Sequence, residues 1–179
     1  MTLNRTQISF LVVVVFLIPL FGGTQNEKEK VTSDKIIEAA HQIMLDAGTC
    51  ALITIDDKGR PRVRTMDPFP PEKDLTVWFG TNTYSRKVAQ IKENNKVTLY
   101  YLDKDATGYV MIHGIAQLVD SPKAKKNRFK KKWKDFYPDY PDGYSLIKVT
   151  PEWMEIISET RGILGDTKTW TPQKIIFNQ

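Results

Sequence analysis

Trp78-Phe79-Gly80-Thr81-Asn82-Thr83-Tyr84-Ser85-Arg86-Lys87 is the stretch whose reading decides the fold of this chain. Leu75, Val77 and Phe79 alternate with Thr76, Trp78 and Gly80, the period of two of a strand with unlike faces, and the strand should end near Thr81. Thr81, Asn82, Thr83 and Ser85 are turn and cap formers, and Arg86-Lys87-Val88-Ala89-Gln90-Ile91 reads as the first turns of a helix behind Ser85. A helix start presents unpaired N–H groups and the positive end of a dipole. Hydroxyls, a guanidinium that grips phosphate in two places and an ammonium make the junction suitable for a phosphate monoester. Taken alone, the stretch fits equally well a solvated basic helix start capped by Ser85.

Working outward, Ser33 or Asp34 can cap a helix whose apolar positions Ile36, Ile37, Ala40, Ile43 and Met44 fall at helical spacing up to Ala47-Gly48. Residues 50–56 form a strand, Asp57-Lys58-Gly59 a hairpin turn and residues 61–66 a second strand. Asp67-Pro68-Phe69-Pro70-Pro71 cannot pair regularly and is a loop. Beyond the central stretch, a helix to residue 93 and a turn at Asn94-Asn95 lead to strands at 97–102, 109–119, 144–150 and 152–157. Short strands with turn signals every ten or so residues predict a mainly β (α+β) chain: an antiparallel barrel or sandwich with peripheral helices.

Residues 123–134 carry eight Lys or Arg on a helical pattern, with Ala124, Phe129 and Trp133 as a thin apolar stripe. The expectation is a solvated helix docked through Phe129 and Trp133; a nucleic-acid or anionic-membrane surface is the competing reading, and no nucleic-acid partner is expected. Residues 136–143 make a rigid aromatic loop, either walling a pocket or covering one end of the barrel.

The 179 residues, 41% hydrophobic, suffice for one sizeable core. The formal charge of +5 says little about partners, because much of the excess is local to 123–134. A single cysteine excludes an intramolecular disulfide framework and a Cys-rich metal site, and Cys50 lies in an apolar run as a buried, inert thiol.

At the N-terminus, Asn4 and Arg5 precede an apolar block over residues 8–21, followed by Gly22-Gly23-Thr24. This is the layout of a secretory signal peptide over residues 1–24, too short for a permanent span, with neither a following cysteine nor a twin arginine. Its removal takes Arg5 away and lowers the charge to +4. Residues 25–32 are then an exposed linker, 33–160 the barrel domain and 161–179 a C-terminal extension packing on it. The mature protein is expected to be exported, periplasmic or extracellular, without stable membrane insertion, and cytoplasmic only if the segment does not work as a signal.

No Gly-x-Ser-x-Gly, His-Glu-x-x-His or paired-carboxylate pattern is present. The two histidines, His41 and His113, lie far apart; His113, beside Gly114, is expected to be structural rather than catalytic.

Arg64 at a strand end, Gly80-Thr81-Asn82 with Ser85-Arg86-Lys87 after the next strand, and Gly114 within a third together resemble the pyridoxamine 5'-phosphate oxidase superfamily. The spacing is most similar to its general stress protein 26-like branch, over roughly residues 33–157. The resemblance implies a split β-barrel of Greek-key type that binds FMN, a homodimer, and a small-molecule redox partner. By the same resemblance Arg64 contacts the flavin and its phosphate arm, Thr65 and Met66 line the ring, Gly80 and Thr81 sit beside it, and Arg86-Lys87 hold the phosphate with Ser85. Tyr109, where the oxidase has Gln, completes the implied cofactor-contacting set. Phe69 stands where the oxidase has Lys, and Arg161-Gly162-Ile163 lacks the His of its Arg-x-His. The implied function is therefore an FMN-binding flavoprotein, an oxidoreductase other than a true pyridoxamine phosphate oxidase, or else a non-catalytic flavin carrier or sensor.

Overall fold

The computed structural model describes residues 32–177, so the signal-peptide reading and all but the last residue of the linker lie outside the described residues. Helix α1 (Ser33–Ala47) buries Ile36, Ala40, Ile43 and Met44. Its cap is Thr32 rather than Ser33 or Asp34: the Thr32 hydroxyl accepts the Lys35 N–H at 3.4 Å. Gly48 closes the helix at φ 66°, which glycine adopts without a Cβ penalty. Strands β1 (Cys50–Ile55) and β2 (Pro61–Met66) form the expected hairpin, in register from Cys50 opposite Met66 to Ile55 opposite Pro61.

Strand β3 (Val77–Asn82) begins two residues later than the alternation suggests. Leu75 is held at φ 62° in a turn, where its N–H donates to Glu72 O at 2.9 Å. Helix α2 (Arg86–Glu93), β4 (Lys96–Leu102) and β5 (Gly108–Val119) follow close to their expected places.

The separate sixth and seventh strands are a misreading: residues 144–158 form one strand of 15 residues, β6 (Tyr144–Ser158). Pro151, read as the break between them, sits opposite Gly114 at a bulge, where the register shifts between His113 and Gly114. There a missing N–H interrupts no regular ladder. Gly114 has no room for a side chain, since a Cβ would collide with the Thr150 carbonyl oxygen and lie 3.2 Å from Pro151 Cα. The true seventh strand is β7 (Gln173–Ile176), antiparallel to β6.

The seven strands form one antiparallel sheet in the order β2-β1-β4-β5-β6-β3, with β7 also on β6. The sheet is curled but not closed, a split barrel. β3 follows β2 in sequence yet lies at the opposite end of the order, the long return of a Greek key. β5 runs along one edge of β6, and β3 and β7 share the other. Inward-facing Leu52, Val77, Phe79, Leu99, Tyr101, Val110, Ile112, Val149 and Met154 pack with α1 into a single core. Cys50 lies in it, its thiol pushed up to about 12 by burial, which fits an inert group.

The single helix expected over residues 123–134 is also corrected: α3 (Pro122–Asn127) stops, and a 3-10 turn (Lys131–Phe136) follows. Between them Arg128, Phe129 and Lys130 leave the helix for tertiary partners. The Arg128 carbonyl accepts the Tyr144 hydroxyl, and Lys130 Nζ donates to Asp67 and, at 2.7 Å, to Pro68 O.

Candidate functional site

The junction between β3 and α2 is built around a charge arrangement that folding alone does not favour. Thr81 faces the core side and is buried, so its hydroxyl needs a partner. It accepts from Lys87 Nζ at 2.9 Å and lies 3.3 Å from Ser85 Oγ. Ser85 holds the N-cap position, φ −69° and ψ 147°, but its side chain makes no cap hydrogen bond. The Ser85 carbonyl accepts the Val88 N–H at 2.9 Å. Arg86 and Lys87, the two residues ahead of it in the first turn, therefore present N–H groups without a capping side chain. The capped-helix reading of this stretch is not realised.

Arg64 comes to the same place from β2. Its guanidinium donates from Nη1 to Thr54 Oγ1 at 2.7 Å and from Nη2 to Gln90 Oε1 at 3.0 Å, which ties β2 to β1 and α2. Burial, and after it the charges of Arg62 and Arg86, lower the Arg64 pKa; burial and then the charge of Arg64 lower that of Lys87. The charges of Arg62, Arg86 and Lys87 thus converge on Arg64, three of the four half-buried and Arg86 exposed, and among the described residues none of the four forms an ion pair. Such a cluster costs stability until an anion joins it. Its donors and the uncapped helix start fit a phosphate monoester.

The remaining sequence-predicted residues are placed elsewhere. Thr65 alternates with Arg64 and faces the opposite side of β2, and the Met66 side chain is in the core opposite Cys50. Gly80 faces away from the core, where a Cβ would collide with the Tyr144 hydroxyl and lie 2.6 Å from the Trp133 ring. Arg62, Thr54 and Gln90 were missed. Their signals were faint: Arg62 shares a β2 face with Arg64, Thr54 is a polar residue at an inward position of β1, and Gln90 lies one turn beyond Arg86.

A sequence profile described as pyridoxamine 5'-phosphate oxidase like matches residues 34–162. The chain belongs to this family. Among solved structures, a Clostridium acetobutylicum protein related to general stress protein 26 of B. subtilis is similar at TM-score 0.67 and 19% identity, over 81% of this chain and 96% of that one. The general stress protein 26 of Bacillus anthracis gives 0.63 and 21%, over 79% and 98%. A pyridoxamine 5'-phosphate oxidase-related, FMN-binding protein of Nostoc punctiforme gives 0.58 and 16%, over 80% and 94%. At these identities the structural likeness establishes the fold. Among curated proteins, none matches the chain.

The positions at which the chain departs from the oxidase are occupied as follows. Phe69 packs edge-on against Trp133, ring centroids 5.6 Å apart, beneath the Lys130 ammonium. Tyr109 stacks on Tyr100 at 5.3 Å, on the outer face of the sheet. Arg161 is a clasp: it donates to buried Asp103 at 2.7 Å and reaches Asp46 of α1 at 3.6 Å, while Ser158 Oγ donates to the same carboxylate at 3.0 Å. His113, also outward-facing, stacks on Trp153 at 5.2 Å and is flanked by Thr98 and Glu152. Four of the eight cations of residues 123–134 are engaged in ion pairs: Lys125 with Asp120, Arg128 with Glu72, and Lys130 and Lys132 with Asp67.

Proposed function

We propose that this chain is an FMN-binding flavoprotein, an oxidoreductase acting on a small molecule rather than a true pyridoxamine phosphate oxidase. The observation that carries this reading is the uncompensated cluster of Arg62, Arg64, Arg86 and Lys87 at an uncapped helix start. Family membership and an FMN-binding structural relative support it. Arg64, Ser85, Arg86 and Lys87 hold the phosphate, and Thr81 orients Lys87. When bound, FMN supplies hydride and single-electron chemistry; the chain supplies attachment, orientation and the local field. Titration of the purified mature protein with FMN, followed by absorbance, tests the reading. A 1:1 complex that weakens by several kcal/mol in the Arg86→Ala, Lys87→Ala double variant is expected, at about 1.5–3 kcal/mol per charged hydrogen bond. A protein that cannot be reconstituted with flavin refutes it.

A second reading, a flavin carrier or sensor without turnover, draws on the aromatic cluster over Gly80, where Trp133 and Tyr144 fill the space beside the strand. Reduction of bound FMN by a nicotinamide nucleotide and its reoxidation by a small acceptor distinguishes enzyme from carrier.

The reading includes a homodimer, formed over the outer sheet face, where Val63, Tyr100, Leu102 and Ile176 are exposed. It also includes export, carried by residues 1–24. Among the described residues no helix is long and apolar enough to cross a membrane.

A further inference from the structure

Arg64 is held by two neutral groups, and the neutrality is the informative part. Thr54 is fully buried and sits opposite Arg62 in the β1–β2 register. Its Oγ1 accepts from Arg64 Nη1 at 2.7 Å and donates to Gln90 Oε1 at 2.6 Å. Gln90 Oε1 accepts a second bond, from Arg64 Nη2 at 3.0 Å. A guanidinium only donates, so the atom of Gln90 that faces it must be the carbonyl oxygen, and the hydroxyl proton of Thr54 must point at that same oxygen. The three side chains therefore close a ring with every proton assigned. They come from β1, β2 and α2, which leaves the guanidinium little freedom to turn.

A carboxylate at position 90 would make the same bonds and make them stronger. It would also neutralise Arg64 where burial already weighs against its charge. An amide fixes the side chain and leaves both the charge and the remaining N–H donors unspent.

We propose that Thr54 and Gln90 are positioning residues that hold Arg64 oriented, with its charge unpaired, for the phosphate of an incoming ligand. This deepens the flavin reading and rests on it for the identity of the ligand alone. It concerns the phosphate, so it separates FMN from riboflavin, which has the same ring and no phosphate.

The test is Gln90→Glu in the full chain, with FMN, riboflavin and inorganic phosphate as probes, read by flavin fluorescence and thermal shift. FMN and phosphate affinity should fall roughly 10- to 100-fold while riboflavin affinity stays unchanged, since one charge-assisted contact is lost. The unliganded variant should melt no lower than the wild type, having gained an internal ion pair. Thr54→Val should lose the same discrimination between FMN and riboflavin, and Thr54→Ser should restore it, as a merely space-filling role would not. Unchanged FMN and phosphate affinity in Gln90→Glu overturns the positioning role. Phosphate binding that Gln90→Glu removes, in a protein that takes no FMN, overturns the flavin reading and upholds the positioning role. A wild type that binds neither FMN nor phosphate overturns both.

Discussion

Lys87 shows at the scale of one residue how the proposed phosphate site trades stability for unpaired charge. Its ammonium is half-buried beside Arg64, and burial followed by that neighbouring charge lowers its pKa below 10.5. A base with a depressed folded pKa binds its proton less tightly folded than unfolded, so the penalty is fully present at neutral pH. It is relieved only as pH rises through the folded pKa toward the unfolded value near 10.5. Lys87→Met should therefore leave the unliganded melting temperature at neutral pH unlowered while reducing the stabilisation by FMN; a parallel loss of both in a calorimetric scan would count against the site. Gly80 is decided by neighbours instead of charge. Gly80→Ala should cost about 1–3 kcal/mol in chemical denaturation, because the Tyr144 hydroxyl and the Trp133 ring must both shift.

Elements that the sequence spelled out are those whose pattern is settled locally. The β1–β2 hairpin follows from Asp57-Lys58-Gly59, and Gly59 takes φ 73°. The β3–α2 junction follows from alternation giving way to turn formers. Elements decided by distant partners were not legible. The helical charge pattern over residues 123–134 breaks because Lys130 is drawn to Asp67 and Pro68, some sixty residues away in the chain. Lys130→Ala should thus destabilise the protein by about 1–3 kcal/mol. Lys131→Ala, on the exposed side of the same turn, should stay within about 0.5 kcal/mol in the same urea titration. The site divides likewise: Ser85, Arg86 and Lys87 announce themselves in one stretch, whereas Thr54 and Gln90 acquire meaning only once β1, β2 and α2 meet at Arg64.

For the whole molecule, the sheet has one face sealed by the core and α1 and one face that carries apolar groups outward. Tyr100 stacks on Tyr109 there, and Leu102 beside them is 53% exposed. Tyr100→Glu with Leu102→Glu should convert a dimer to a monomer in size-exclusion chromatography with light scattering, and a wild type that elutes as a monomer would remove the dimer from the proposal. Open sheets of this kind are readable from strand count and turn spacing, but their closure is not. The bulge at Gly114 and Pro151 made one strand look like two, and β7 is a run of four residues with no alternation to mark it.

That long strand has a consequence for the order in which the molecule is made. Among the described residues β3 has one strand neighbour, β6, and pairs with it from Asn82 opposite Tyr144 to Val77 opposite Val149. When residues 77–82 first leave the ribosome, or the far side of a membrane pore, the strand they will lie against is still to come. Thr81, whose hydroxyl accepts from Lys87, is therefore fixed only after residues 144–149 have emerged. On the flavin reading, FMN would therefore be taken up late, by a nearly finished polypeptide and not by a nascent one.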